Sequence, residues 1–255
     1  MDYIISAGTD AGLAKEINED SLFVRVIRAG RERMVLAVIC DGMGGLSKGE
    51  VAGAALADAF TDWMNNELPT LARRYIEDGV IREQWDGVIT RRNEELLDYG
   101  RQNGISLGTT VTAMLITAGR YYIVNVGDCR AYEIKDELRQ LTADQTVVAR
   151  EVALGRMTWE EAERDPRRNI LLQCVGASET VTPEFFFGET KRDAVYMLCS
   201  DGFRHELTPS ELYNALTPRR MAEAEAMKRC LAELIEENKR RGERDNISVI
   251  AIRTI

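Results

Sequence analysis

An uncharged run of apolar side chains occupies residues 34–40 and ends at the motif Asp41-Gly42-Met43-Gly44-Gly45. The run is too short for a buried helix with caps, and its apolar positions do not alternate. It therefore predicts a strand that is covered on both faces. We expect Asp41 to lie where this strand leaves the core, and the glycines allow a tight turn that brings a backbone carbonyl close to a ligand.

The rest of the pattern predicts a mixture of strands and helices. Alternating or β-branched apolar residues predict further strands at 3–6, 21–28, 109–116, 121–126, 131–134, 181–187, 194–199 and 247–252. Helical spacing predicts helices at 47–66, 70–102 and 218–241 and one starting near 208, with capping boxes at Ser47–Glu50 and Thr208–Glu211. Strands at both ends with helices grouped between them indicate an α+β layered fold, and we expect a single domain over residues 1–255.

Composition narrows the class of protein. The 255 residues are 45% hydrophobic, which is enough for a sizeable core, and the net charge of −9 argues against a nucleic-acid binder. Five cysteines without a C-x-x-C pair are typical of reduced thiols, so we expect a cytoplasmic protein. We find neither a secretion signal nor an apolar stretch that could span a membrane. The one histidine, His205, excludes a His-rich zinc site.

Four Asp-Gly dipeptides occur, and two of them end apolar runs, at Asp41 and Asp201. The pairs at 78 and 86 lie in polar helical surroundings, and we assign them to turns. Two more carboxylates, Asp128 and Asp245, adjoin predicted strand ends. Such carboxylates suit a divalent-metal or acid/base site, but structural turns explain the same pattern.

Two polar segments complete the picture. Residues 15–20 could face the end of the Asp41 strand, although the local pattern favours a solvated loop. Residues 145–170 predict an insertion of short helical pieces lying over one face, and its end carries Arg164, Arg167 and Arg168. A basic cluster in an acidic protein suits an anionic ligand, and a solvated surface turn is an equal alternative.

Six motifs, each weak alone, occur in an order that resembles a known family. The chain resembles the metal-dependent protein serine/threonine phosphatases of the protein phosphatase 2C type, in their compact bacterial form, over essentially its whole length. The motifs are Asn18-Glu19-Asp20, Asp41-Gly42-Met43-Gly44-Gly45, Gly108-Thr109-Thr110, Gly127-Asp128-Cys129-Arg130, Ser200-Asp201-Gly202 and Asp245-Asn246-Ile247-Ser248. The resemblance implies a four-layer α/β/β/α sandwich of two antiparallel sheets with a flap at about 145–170.

The resemblance also implies a cofactor and roles for individual residues. Two Mg²⁺ or Mn²⁺ ions would activate a water for attack on phosphoserine or phosphothreonine in proteins. Asp41 would bridge the ions, the Gly42 carbonyl would bind one, and Asp201 and Asp245 would hold the other. Further roles are implied for four residues: Asp128 would serve a weaker third ion, Glu19 and Asp20 would act through bound waters, and Lys15 would hold the substrate phosphate.

The chain departs from the family pattern at three positions. Lys15 replaces the Arg found in many members, and so lacks the planar fork that binds phosphate with two parallel bonds. Met43 replaces the His of eukaryotic members, as is common in bacterial ones, and cannot donate a proton. Cys129 replaces the usual Ser, a change from which we expect little consequence.

The resemblance implies phosphorylated proteins as partners, including a bacterial Ser/Thr kinase that the enzyme opposes. We expect no nucleic-acid or membrane partner and a monomeric protein. Two alternatives stay open. One is a catalytically inactive phosphatase-like domain that binds phosphoproteins, and the other is a hydrolase of a different phosphoester.

Overall fold

The structure, a computed structural model, describes residues 1–29, 32–43, 48–73 and 75–255. In these ranges the strands are β1 Tyr3–Asp10, β2 Ser21–Ala29, β3 Glu32–Cys40, β4 Val111–Ile116, β5 Arg120–Val126, β6 Arg130–Ile134, β7 Leu138–Gln140, β8 Glu184–Glu189, β9 Val195–Cys199 and β10 Ile247–Thr254. The helices are α1 Gly49–Asn66, α2 Leu68–Leu71, α3 Asp78–Asn103, α4 Val147–Ala153, α5 Trp159–Arg164, α6 Asp201–Arg204, α7 Pro209–Leu216 and α8 Ala224–Arg241.

The strands form two five-stranded sheets in which every neighbouring pair is antiparallel. One sheet has the order β1-β10-β9-β6-β7 and the other has the order β2-β3-β4-β5-β8. The sheets pack face to face through a buried apolar layer that includes Val35, Ile39, Met114, Leu198 and Ile250. Burial of apolar surface on this scale is the main force that holds two sheets together.

Helices cover the outer face of each sheet. Phe60, Trp63 and Trp85 from α1 and α3 pack on the β2-β3-β4-β5-β8 sheet. Met227 and Leu231 of α8 pack on the other sheet, together with residues of α6 and α7. The result is the α/β/β/α sandwich that the family resemblance implied, with one apolar layer between the sheets and one beneath each set of helices.

The strand predicted from the apolar run at 34–40 is confirmed as β3, whose residues from Met34 to Cys40 are buried. An apolar run without alternation arises here because β3 faces the opposite sheet on one side and helix α1 on the other. The antiparallel pairing of β9 with β10 sets Cys199 opposite Val249. The end of β9, which leads into Asp201, therefore lies beside the start of β10, which follows Asp245.

Several local predictions need correction. Asp86 and Gly87 do not form a turn but lie inside α3, and Asp78 and Gly79 form its first turn. The last helix begins at Ala224 rather than near 218. The capping box between Thr208 and Glu211 is confirmed.

Two predictions lie partly outside the described residues, namely the capping box at Ser47–Glu50 and the tight turn of glycines after Asp41. Ser47, Gly44 and Gly45 are among the residues that the structure does not describe. Helix α1 itself follows Lys48, whose φ of 63° is left-handed. No helix in the described ranges has the length and apolar character that a membrane crossing requires.

Candidate metal centre

Asp41 is held firmly where β3 ends. Its carbonyl oxygen accepts hydrogen bonds from the Thr110 backbone N–H at 2.9 Å and from the Thr109 hydroxyl at 3.0 Å. The Asp41 N–H donates to Thr110 Oγ1 at 3.0 Å. The motif Gly108-Thr109-Thr110 thus serves to fix the backbone from which the Asp41 carboxylate projects.

Gly42 occupies a place that no side chain can enter. A Cβ atom there would lie 2.6 Å from the Glu19 carbonyl oxygen and 2.7 Å from the Gly49 carbonyl carbon, well inside van der Waals contact. The backbone of Gly42 also pairs with Thr109 in an isolated bridge. Gly42 is therefore packed directly against the backbone of Glu19 and the start of α1.

Asp201 is the first residue of α6 and follows Ser200, which ties β9 to β10. Ser200 N–H donates to the Ser248 carbonyl at 3.0 Å, and Ser248 N–H donates to Ser200 Oγ at 3.0 Å. A Cβ at Gly202 would collide with the Asn246 carbonyl oxygen. The Ser-Asp-Gly and Asp-Asn motifs, although 44 positions apart in the chain, therefore form one packed unit.

Asp245 lies at the more open side of this unit, with 40% of its side chain exposed. Its Oδ1 accepts the Asn246 N–H at 2.9 Å and lies 3.2 Å from Lys15 Nζ. Lys15 Nζ also lies 3.7 Å from Glu19 Oε2. Burial lowers the pKa of Lys15, but Asp245 and then Glu19 outweigh it, so the net shift is upward.

Asn246 positions the loop that carries Lys15 and Glu19, a role that sequence reasoning missed. Its Oδ1 accepts the Glu19 N–H at 2.9 Å, and its Nδ2 donates to the carbonyls of Ala11 at 3.0 Å and Ile17 at 3.2 Å. A side-chain amide next to a predicted ligand was the available signal, because an Asn side chain accepts through its oxygen and donates twice through its nitrogen. Residues 15–20 are therefore not a freely solvated loop.

The carboxylates create a concentration of negative charge. Burial, with Asp20 and then Asp201 adding to it, raises the pKa of Asp41 well above its ordinary range. Burial also raises the pKa of Asp20 to about 7, and Asp201 contributes further. A protein gathers buried acids in this way at sites where a cation or a proton is needed.

Asp128 belongs to the same cluster but has a basic partner. Burial and then Asp201 raise its pKa to about 7, while Arg204 opposes the rise. Arg204 Nη2 donates to the Asp128 carbonyl at 3.2 Å and lies 3.9 Å from Asp128 Oδ2 and 3.6 Å from Asp144 Oδ2. Arg204 thus joins Asp128 to the residue that precedes the 145–170 segment.

The residues fit hard divalent cations. Both carboxylate oxygens of Asp20 and the Oδ1 of Asp201 are buried without a hydrogen-bond partner. Buried carboxylate oxygens require partners, and an all-oxygen set suits Mg²⁺ or Mn²⁺. Within the described ranges, no three His, Cys, Asp or Glu side chains already form a closed set of ligands. The donors are near enough to repel one another but are not drawn around a single point.

The 145–170 segment is anchored beside this cluster at its first residue. Gln145 N–H donates to the Gly127 carbonyl at 3.0 Å, and Gly127 N–H donates to Gln145 Oε1 at 2.9 Å. The segment contains α4 and α5, and its basic end is exposed. Arg167 there lies 2.8 Å from Asp165 Oδ2, so part of its charge is already paired.

Comparison with known proteins places this geometry in a family. The family model for protein phosphatase 2C matches residues 7–237. The serine/threonine protein phosphatase PstP of Mycobacterium tuberculosis is 34% identical over 250 residues, which is 96% of this chain and 44% of that protein. The chain therefore spans less than half the length of this relative.

Two further comparisons give the same result. The protein phosphatase PhpP of Streptococcus pneumoniae is 29% identical over 84% of this chain and 84% of its own. A crystal structure of the PstP catalytic domain in complex with two manganese ions superposes with a TM-score of 0.78 at 28% identity, covering 98% of this chain and 97% of that chain. The family model and the mycobacterial relative both span nearly the whole sequence, and the chain accordingly belongs to the protein phosphatase 2C family.

Proposed function

We propose that the chain is a metal-dependent phosphatase that hydrolyses phosphoserine and phosphothreonine in proteins. The observation that carries this proposal is the buried carboxylate cluster around Asp41, where burial and then the charges of Asp20 and Asp201 raise the pKa of Asp41 and where buried oxygens have no partner. The cluster lies where the family's motifs meet. The relatives PstP and PhpP are named as protein phosphatases, which supports the same activity here.

The proposal assigns each residue a task. Asp41 and the Gly42 carbonyl bind metal, together with Asp201 and Asp245, and Asp128 serves a weaker third ion. Bound Mg²⁺ or Mn²⁺ supplies an acidified water and neutralises charge on the phosphoryl oxygens. The Thr109 and Thr110 hydrogen bonds keep Asp41 in place at the end of β3, so this ligand is fixed by the sheet that carries β3 and β4.

The substrate side of the site is provided by the 11–20 loop. Asn246 holds this loop against the cluster, which sets Lys15 at the rim beside Asp245. We propose that Lys15 binds the substrate phosphate and that Glu19 and Asp20 provide further acceptors around the ions. No histidine nucleophile is needed, which agrees with a chain that has one histidine.

The proposed partners are phosphorylated proteins, including a Ser/Thr kinase. We propose that the protein is a monomer and acts in the cytoplasm. The cysteines support a reducing compartment: Cys40, Cys129, Cys174 and Cys199 are buried as free thiols, and Cys230 is free and half-buried. We further propose that residues 1–255 act as one domain, with 145–170 as a flap beside the site.

The test is hydrolysis of a phosphothreonine peptide with Mn²⁺, with and without excess chelator. We expect Mn²⁺-dependent turnover, and we expect Asp201→Asn to lower it by about 100-fold or more, since loss of a ligand should cost at least as much as loss of a partner that orients one. Asp98→Asn, which changes an exposed carboxylate on α3, is the control and should match the wild type. Turnover that survives the chelator, or peptide binding without hydrolysis, would contradict the proposal.

A further inference from the structure

The chain's one histidine lies between two carboxylates at the metal centre. His205 follows α6 directly, and its Nδ1 is 3.2 Å from Glu243 Oε2. Its Nε2 is 3.5 Å from Asp201 Oδ2. Only 22% of the imidazole is exposed, so the ring is enclosed rather than free in solvent. None of the six family motifs includes His205 or Glu243.

Glu243 connects His205 to the loop that carries Asp245. Its Oε1 accepts the backbone N–H groups of Arg244 at 2.7 Å and of Asp245 at 2.8 Å. This carboxylate thus uses one oxygen for the imidazole and the other for the loop that ends at Asp245. The ring and the carboxylate together form a continuous path from the Asp201 side chain to the Asp245 backbone.

Helix α8 holds both ends of this path in place. Asn238 is fully buried, and its Nδ2 donates to the Phe203 carbonyl in α6 at 2.9 Å. The Asn238 carbonyl in turn accepts the Glu243 N–H at 3.0 Å. Because α6 and the 243–245 loop are tied to the same residue, the imidazole bridges two segments whose separation is already fixed.

We propose that His205 is a positioning residue that, with Glu243, orients the Asp201 carboxylate for metal binding. The inference rests on the proposed metal site and adds a role for two residues that contact no ion in it. The oxygen of Asp201 that faces His205 is Oδ2, whereas its Oδ1 is buried without a partner. His205 therefore engages one oxygen and leaves the other for an ion. Partners that orient metal ligands in this way change metal affinity by about 10- to 100-fold when removed.

The experiment is calorimetric titration of the purified protein with Mn²⁺ alone. We expect His205→Ala to bind Mn²⁺ at least about 10-fold more weakly than the wild type. His205→Gln should recover most of this loss, because its amide nitrogen can donate to Asp201 from near the Nε2 position. Glu243→Gln should weaken Mn²⁺ binding although it touches neither Asp201 nor an ion.

The matched control is Glu211→Gln, which removes a carboxylate that accepts from Arg241 and Thr208 at the same corner of the fold. It should leave the Mn²⁺ affinity unchanged. Thermal unfolding of each variant in chelator separates the two roles. If His205 were merely structural, His205→Ala would lower the unfolding temperature and leave the Mn²⁺ affinity at the wild-type value. If His205→Ala fails to fold, His205→Gln and Glu243→Gln carry the comparison.

The outcomes are distinguishable. Wild-type Mn²⁺ affinity in His205→Ala and Glu243→Gln would overturn the inference while leaving the proposed phosphatase intact. If His205→Gln binds Mn²⁺ as weakly as His205→Ala does, the proposed action of His205 through Asp201 is overturned. A wild-type protein that binds no Mn²⁺ would overturn both the inference and the proposed function.

Discussion

Lys15 Nζ lies 3.2 Å from Asp245 Oδ1, so a proposed phosphate-binding cation is paired with a proposed metal ligand. The same ammonium lies 3.7 Å from Glu19 Oε2. In the absence of ions, Lys15 thus neutralises part of the cluster's negative charge. Ions held by Asp245 would weaken this attraction and would leave the ammonium available to the substrate phosphate.

The first prediction concerns this exchange of partners. Lys15→Ala should raise KM for a phosphothreonine peptide by about 10-fold with little change in kcat, because a charge-assisted bond contributes about 1.5–3 kcal/mol and 1.4 kcal/mol is a factor of ten. Lys15→Arg should lower KM, since a guanidinium binds phosphate with two parallel bonds. Steady-state kinetics decide, with Lys135→Ala in the β6–β7 turn as the control. Wild-type constants in Lys15→Ala would show that Lys15 does not touch the substrate.

The second prediction concerns the third ion. Asp128→Ala should lower turnover while leaving two tightly bound ions, because Asp128, although it belongs to the same cluster, already has Arg204 as a basic partner. Metal content after gel filtration, measured together with kcat, checks this. Loss of the two tight ions in the variant would show instead that Asp128 belongs to the main pair.

The third prediction concerns the basic end of the 145–170 segment. Changing Arg164, Arg167 and Arg168 together to Ala should slow phosphopeptide hydrolysis by about 3- to 10-fold, since exposed charge pairs are each worth about 0.2–1 kcal/mol. Hydrolysis of a small aryl phosphate should change little, because it does not extend to the segment. Arg219 and Arg220, exposed after α7, provide the control substitution. An equal effect on both substrates, or none, would refute the idea.

The fourth prediction concerns Asp144, which accepts from Arg130 Nε at 2.8 Å and Nη2 at 2.7 Å. Burial raises the pKa of Asp144, but the Arg130 hydrogen bond and the charge of Arg204 outweigh it, so the net shift is downward. A carboxyl whose pKa is lower in the folded state stabilises it above the unfolded pKa of about 4 and loses this effect as pH falls through the folded value.

Asp144→Asn should therefore be less stable than the wild type by about 3 kcal/mol at pH 7, where it leaves a buried guanidinium unpaired. The gap should narrow below about pH 4. Denaturant unfolding in chelator, from pH 7 to pH 3, measures it, with Asp98→Asn as the control. A gap that does not change with pH would contradict the assigned role of the ion pair.

The sequence predicted the parts of the fold that depend on local pattern. β3 was predictable because both of its faces are buried, which leaves an unbroken apolar run. Helix α6 and strand β7 were missed because four and three residues are too few to show a period. Asp86-Gly87 was assigned wrongly to a turn because a local dipeptide preference was given more weight than the helical spacing on both sides.

The candidate site was predictable as a set of residues but not as an arrangement. Strand ends suggested Asp41, Asp201 and Asp245, and the family resemblance supplied their roles. The contact between His205 and Glu243 joins residues 38 positions apart, and the bond from Asn246 to Glu19 spans 227 positions. Such contacts follow from the packing of the two sheets, for which the spacing of motifs gives no measure.

The proposed two-metal site is tested most directly by an anomalous-scattering map from crystals of the protein grown with Mn²⁺. We expect two strong manganese peaks about 3.5–4 Å apart at the Asp41 carboxylate. One should also contact the Gly42 carbonyl oxygen, and the other should contact Asp201 and Asp245. Peaks at other residues, or none at these carboxylates under saturating Mn²⁺, would contradict the proposed metal site.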